Sequence, residues 1–452
     1  MMNKKILSKL LCLSLGAGAQ GMAGAAPAID YPTGFTDAIR LAQARRVELK
    51  IAGINVDSTD ARIDEAKGAN LPSLNAYSTV QRIKSYQDFS GVEVEAVVNN
   101  VTIPVDVRSV TPGYQIHAGL ELSQALYSGG LNQARIDESL AVKRGVQAQQ
   151  EIVRKKIVLE VSGAYWDLYK AQLKYALMER RVEHAKEAVT LAQDQLSKGR
   201  IAQIELTTKG LLVETAEIEL RNQARRISDG RRRYVRAVGG DAVAERNGTS
   251  PPLNGRTEEI EALLADFRPA PSPEMLIAQA DLDGVKARAL QVESEYKPTI
   301  DLFARYNGIG RDNGNMGDAI SRYGRDNLSI GVRFKWNLFD GYRSNARALK
   351  ASLETEQVRL KLEQTRRELE NDFQDKQSLE AELQDQLSLA IKQADVAQSE
   401  LKIANKRWEN RLISMVDLHG AQLRVEEAQD KIKVAQIDVM IARLAATLAK
   451  TN

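Results

Sequence analysis

Along residues 327–338 apolar and polar side chains alternate without exception. Leu328, Ile330, Val332, Phe334, Trp336 and Leu338 fall on one side, Asn327, Ser329, Gly331, Arg333, Lys335 and Asn337 on the other. Period two over about a dozen residues predicts a strand with one apolar face, long enough to cross a bilayer when tilted. Residues 115–126 repeat the pattern less sharply, with Ile116, Ala118, Leu120 and Leu122 opposed to Gln115, His117, Gly119, Glu121 and Ser123. Weaker alternation predicts two earlier strands, at 74–80 and 300–306.

The period then changes to that of a helix. Over 130–198 and 342–410 the apolar residues step by three and four: Val182, Ala185, Val189, Ala192 and Leu196 in one segment, Ala394, Ala397, Leu401, Ala404 and Trp408 in the other. Such a heptad seam, with alanine at alternate layers, lets two helices approach closely. At ~1.5 Å per residue each helix would extend ~100 Å, a length no compact core requires. Helices at 203–238 and 414–450 would return antiparallel, and lead helices at 36–68 and 272–295 would run into the strands. Ser272-Pro273-Glu274 is a good helix start, serine as cap and proline in the first turn.

The chain is written twice. Ala125-Leu126-Tyr127-Ser128-Gly129 recurs as Asn337-Leu338-Phe339-Asp340-Gly341, an offset of 212. Ile204-Glu205-Leu206 and Val416-Asp417-Leu418 keep that offset, as do Val213-Glu214 and Val425-Glu426. A constant offset implies hairpins of equal length, because one added residue turns a helix face by about 100°. Leu71-Pro72-Ser73-Leu74 matches Lys297-Pro298-Thr299-Ile300 at 226, so one repeat holds 14 more residues, assigned to a loop around 85–112. All eleven prolines lie outside 113–250 and 299–452, which leaves those regions free for long regular elements. The organisation is therefore a leader at 1–25, a first repeat at 36–238, a connecting collar segment at 239–271 around a short apolar helix at 260–267, and a second repeat at 272–452.

Lys4, Lys5 and Lys9 precede an apolar stretch from Leu10 to Ala19, followed by Ala23-Gly24-Ala25 and Ala26-Pro27-Ala28. This is the layout of a secretory signal peptide cleaved after Ala25 or Ala28. Its apolar core is far shorter than the ~20 residues of a spanning helix. Cys12 lies inside it, so the mature chain is expected to lack thiols. Beyond the leader no run of ~18 apolar residues occurs, so any membrane crossing falls to strands.

Charge and chemistry exclude more than they add. Charged residues are 27% of the 452, yet 63 basic against 60 acidic side chains leave a net charge of only +3, which gives no warrant for a nucleic-acid partner. Arg231, Arg232, Arg233 and Arg236 read as a solvated helix end beside Asp229 and Asp241. His117, His184 and His419 lack metal-ligand spacing and read as surface or lumen side chains, and Tyr165-Trp166 reads as helix packing. Asn247-Gly248-Thr249 fits a sequon by chance. With no phosphate-cradling loop, nucleophile elbow or catalytic dyad, no enzyme, metal or cofactor is expected. Four strands cannot close a barrel, since lipid tolerates no open edge and closed barrels begin at about eight strands, so the chain is expected to oligomerise.

The leader, the tandem repeat, the Ser128-Gly129-Gly130 turn after a strand, the Leu71-Pro72-Ser73-Leu74 strand entry and the Ala164-Tyr165-Trp166 helix together resemble the TolC-like outer membrane efflux protein family. The resemblance covers essentially the whole mature chain. It implies a mainly α fold with a β-barrel section: a homotrimer with four strands per subunit in the outer membrane lipid, continued by an α-helical barrel in the periplasm. It also implies a partner set of a periplasmic adaptor and an inner-membrane pump or ABC exporter, and so a passive exit duct for efflux or type I secretion. A coiled-coil envelope protein without a pore is the alternative.

The family meets its adaptor at the hairpin tips, where a Val-Gly pair is usual. Here the tips read Lys198-Gly199-Arg200 and Asn410-Arg411-Leu412, with Gly199 suited to a left-handed turn and Asn410 as its substitute in the second. Just past the tips, Asp417 aligns with a constricting aspartate of the family and Glu205 is its repeat partner; Gly420 stands where the family has a second aspartate. Rings of such acids favour cations, and crowding raises their pKa values. The alternative role is that of ordinary acids at helix N-termini.

Overall fold

A computed structural model describes residues 31–82, 93–98, 101–106, 113–240, 253–266, 271–312 and 315–449. The leader with Cys12 and the Asn247 sequon lie outside them. In chain order the helices are α1 (Phe35–Arg45), α2 (Val47–Gly68), α3 (Leu131–Ser197), α4 (Gln203–Ala237), α5 (Glu258–Asp266), α6 (Pro273–Glu293), α7 (Met316–Ser321), α8 (Arg343–Glu409) and α9 (Met415–Ala449). The strands are β1 (Ser73–Arg82), β2 (Glu93–Val98), β3 (Val101–Asp106), β4 (Tyr114–Tyr127), β5 (Thr299–Asp312) and β6 (Arg325–Lys335). Among the described residues no helix is long and apolar enough to cross a membrane.

The repeat governs helix length to the residue. α3 and α8 each have 67 residues, α4 and α9 each 35, and all four pairs of ends keep the offset of 212. At ~1.5 Å per residue the longer pair spans ~100 Å. In the first hairpin Val182 and Ala192 of the seam are buried and Ala185, Val189 and Leu196 half-buried; in the second Ala394, Ala397, Leu401 and Ala404 are half-buried and Trp408 is exposed. α6 begins as its sequence indicates, with Pro273 in the first turn and Ser272 Oγ accepting from the Met275 amide at 3.4 Å.

The lead helix expected over 36–68 is instead two. Arg46 adopts an extended conformation (φ −60°, ψ 122°) between α1 and α2. Its guanidinium donates to the carbonyl of Ala237, the last residue of α4, at 3.1 Å and pairs with Glu48 and Glu160 at 2.9 Å. A cation on a helix C-terminus satisfies a carbonyl that has no partner within its own helix. The break frees α1 to turn into the core, where Phe35 lies 5.5 Å from Tyr165 and 5.7 Å from Trp166 by ring centroid.

That core sits at mid-height on α3. Phe35, Ala38, Ile39 and Ala42 pack with Ile157, Val161, Tyr165, Trp166 and Leu168, joined by Tyr234, Leu253, Ile260 and Ile437. The Tyr165 hydroxyl donates to the Thr33 carbonyl at 2.8 Å and that of Tyr234 to Pro32 at 2.7 Å, so both buried phenols keep a partner. Burial pushes both well above the ordinary tyrosine range. Leu253, and Ile260 of α5, both from the connecting segment, pack into this core.

The main sheet has the order β1-β4-β5-β6 and is antiparallel throughout. Ser73 opposes Ser123 and Thr299 opposes Lys335, which is one register carried by the two offsets, 226 and 212. β1 and β5 run longer than the alternation alone indicated. The expected loop at 85–112 contains a second antiparallel pair, β2 with β3, separate from the main sheet. Its sequence, Val94 to Val98 and Val101 to Val105 around Asn99-Asn100, carries β-branched residues flanking turn formers, the signature of a hairpin. The second repeat replaces it with the short α7, capped by Asn315, whose side chain accepts from the Asp318 amide at 2.8 Å.

Candidate pore: sheet face and helical tips

The register gathers apolar residues onto one face of the sheet. Leu74, Leu122, Ala304 and Ile330 line up across four strands, as do Ala76, Leu120, Tyr306 and Leu328; Leu302 with Val332 and Ile300 with Phe334 extend the face. Leu328, Ile330, Val332 and Phe334 are 60–70% exposed, so this part of the face has no cover among the described residues. Beyond it Trp336, Phe339 and Tyr342 form an exposed aromatic group, with Phe339 and Tyr342 edge to face at 5.6 Å. At the far end α7 and Tyr323 lie over Gly308 and Gly310; a Cβ at Gly310 would stand 2.0 Å from the Ala319 carbonyl oxygen. An apolar band of this kind is the pattern expected on the lipid-facing side of a membrane barrel. The opposite face carries Asn75, Glu121, Arg305 and Ser329 in one row, with Arg305 paired to Glu121 at 3.0 Å.

Both tips turn by one device. In the first, Gly199 is left-handed (φ +67°), its amide bonds to Leu196 and that of Arg200 to Gln195, both at 2.9 Å. In the second, Arg411 holds the left-handed place (φ +57°), its amide bonding to Trp408 and that of Leu412 to Arg407, both at 2.8 Å. The left-handed residue is therefore not Asn410, which has φ −83° and whose side-chain amide donates to the Lys406 carbonyl at 2.8 Å. The repeat offset places Arg411, not Asn410, on Gly199, and the two crossed bonds of the turn fix that position.

Asp417 and Glu205 are exposed third residues of α9 and α4. Ser414 and Asp417 form a reciprocal cap: the Asp417 carboxylate accepts from the Ser414 amide (3.0 Å) and hydroxyl (2.8 Å), and Ser414 Oγ accepts from the Asp417 amide (3.2 Å). The Ser414 hydroxyl, then its amide, hold this carboxyl below the usual aspartate range. Within the chain the shift thus runs opposite to the rise expected of crowded acids. In the first hairpin Ala202 takes the cap position and offers no side-chain bond. Glu205 and Asp417 share no hydrogen bond or ion pair among the described residues.

Sequence reading missed what stands beside Asp417. His184 on α3 donates from Nε2 to the Val416 carbonyl at 2.9 Å, and His419 donates from Nδ1 to Glu187 at 2.7 Å. A Cβ at Gly420 would lie 3.1 Å from His184 Nε2, so a side chain there would press on this ring. Arg181 with Glu427 (2.6 Å), Arg180 with Glu426, and Lys170 with Asp438 (2.9 Å) continue the α3–α9 contact away from the tip. A separation of more than two hundred residues hides these pairs from local patterns.

The profile of the outer membrane efflux protein family matches residues 38–240 and 270–449, nearly all of both repeats. The chain belongs to this family. Solved structures of low identity share its fold. The outer membrane protein VceC of Vibrio cholerae is 15% identical, with TM-score 0.70 over 92% of this chain and 96% of that one. The CmeC outer membrane channel of Campylobacter jejuni is 14% identical, with TM-score 0.70 over 92% and 85%. The open-state MtrE outer membrane channel of Neisseria gonorrhoeae is 16% identical, with TM-score 0.67 over 92% and 88%. No curated protein matches the chain. Family membership makes it an outer-membrane efflux component.

Proposed function

We propose that the chain is one of three copies forming a passive exit duct, with the sheet in the outer membrane, the long helices in the periplasm, and the tips docked to an adaptor of an inner-membrane pump or ABC exporter. The observation that carries this reading is a four-stranded sheet with a continuous apolar face whose edges, β1 and β6, are unpaired among the described residues. Unpaired edges in hydrocarbon cost several kcal/mol per group, so edges of neighbouring copies must pair. CmeC and MtrE, which share the fold, are described as channels. Gly199, Arg200, Asn410, Arg411 and Leu412 would form the adaptor-facing rim, and Asp417 with Glu205 an acidic ring at the entrance. Single-channel recording in a planar bilayer tests both levels. Wild-type protein conducts, and the Asp417→Ala, Glu205→Ala double variant shows higher closed-state conductance and weaker cation preference. Absence of wild-type channels contradicts the duct; unchanged selectivity and cation block in the double variant contradicts the ring alone.

A further inference from the structure

At the junction between the sheet and the helices lies a cavity of about 880 Å³, walled by the start of α3, the end of α6, α8 and the end of β6. Four cations line it, Arg135, Arg288, Lys297 and Lys335, against two acids, Glu295 and Glu354. Both acids have other partners: Glu295 accepts from Arg347 at 2.8 Å and Glu354 lies 3.7 Å from Lys350. Two of the cations are likewise matched, Arg288 with Glu138 at 3.9 Å and Lys297 with Glu293 at 3.3 Å. Arg135 and Lys335 have no carboxylate partner among the described residues, and both are exposed. Lys335 opposes Thr299 across the strands, and alternation sets both on the face opposite Ile300 and Phe334. Lys335 and Thr299 therefore meet the cavity from the polar side of the sheet, while Trp336, next along the chain, also lines it.

Resting on the duct reading, we propose that Arg135 and Lys335 form an anion-attracting stage of the passage, favouring cargo that carries negative charge. Each copy contributes two uncompensated cations at one level, and charges focused in a confined polar channel act on passing ions more strongly than on an open surface. The stage is opposite in sign to the acids at the tips, so the two ends of the duct sort charge differently.

Reversal potentials under a potassium chloride gradient test this. In the Arg135→Gln, Lys335→Gln variant the chloride-to-potassium permeability ratio is expected to fall about twofold or more, and the difference from wild type to vanish near ~1 M salt, where charges are screened within ~3 Å. Lys335→Gln alone, at an exposed strand end, should give a smaller shift of the same sign, and Arg135→Lys with Lys335→Arg should retain the wild-type ratio. Channels of normal conductance whose ratio is unchanged in both glutamine variants overturn the inference and leave the duct intact. A wild-type protein that forms no channels overturns the duct reading and the inference with it.

Discussion

A left-handed backbone costs an L-residue other than glycine roughly 1–2 kcal/mol, and the second tip accepts that cost at Arg411 where the first has Gly199. The repeat supplies its own control. Arg411→Gly is expected to stabilise the protein by roughly 1 kcal/mol and Gly199→Arg to destabilise it by a similar amount, read by thermal unfolding. If neither substitution moves the transition, the turn carries no strain. Ser414→Ala removes the reciprocal cap and should cost about 1 kcal/mol at neutral pH, while its counterpart is already Ala202. Because the Asp417 carboxyl is held below its unfolded value, its contribution is present above the ordinary aspartate range and fades as pH falls through the folded value. The cost of Ser414→Ala should shrink correspondingly in strong acid; a constant cost would detach the cap from that titration. The sequence pointed to glycine at the first tip; at the second the offset of 212 placed Arg411 on Gly199, but residue type favoured Asn410, and the turn's two crossed bonds decide for Arg411.

Periodicity read together with the repeat made the long elements legible. Val182 to Leu196 showed the seam, and the offset from Gly129 to Gly341 required equal hairpins, as α3 and α8 prove to be. Arg46 escaped, since no proline or glycine marks the break; what bends the chain there is a long-range bond to the Ala237 carbonyl and an ion pair with Glu160. Losing these charge-assisted bonds in Arg46→Ala should lower the unfolding free energy by about 2 kcal/mol. Lysine, with one compact charge in place of the guanidinium fork, should recover only part of it. Tryptophan fluorescence checks this, because Trp166 lies against the helix that Arg46 turns inward. A full rescue by lysine would show that charge alone sets the bend. The β2–β3 hairpin was present in the sequence as two β-branched runs around Asn99-Asn100, overlooked because the length comparison required only inserted residues.

The two repeats are alike in length and unlike in cover. α3 buries side chains along much of its length, whereas among the described residues only Ser344, Ala351 and Ala390 of α8 are buried, and Leu353, Leu360, Leu389, Val396 and Ile403 stand exposed. α4 shows Ile204, Leu211 and Ile218 at heptad spacing, exposed on another helix. Apolar stripes of this extent mark surfaces that meet a partner, and they flank a sheet whose edges β1 and β6 are unpaired among the described residues, as the proposed assembly of copies would require. The sequence showed the apolar face of the sheet through Leu328 to Leu338, but the polar junction around Arg135 and Lys335 appears only when strand ends and three helices converge. Native mass spectrometry of the detergent-solubilised protein tests the closure of the barrel by oligomerisation most directly. The account predicts a trimer that falls apart only as β-content is lost; a stable monomer with full β-content would contradict it.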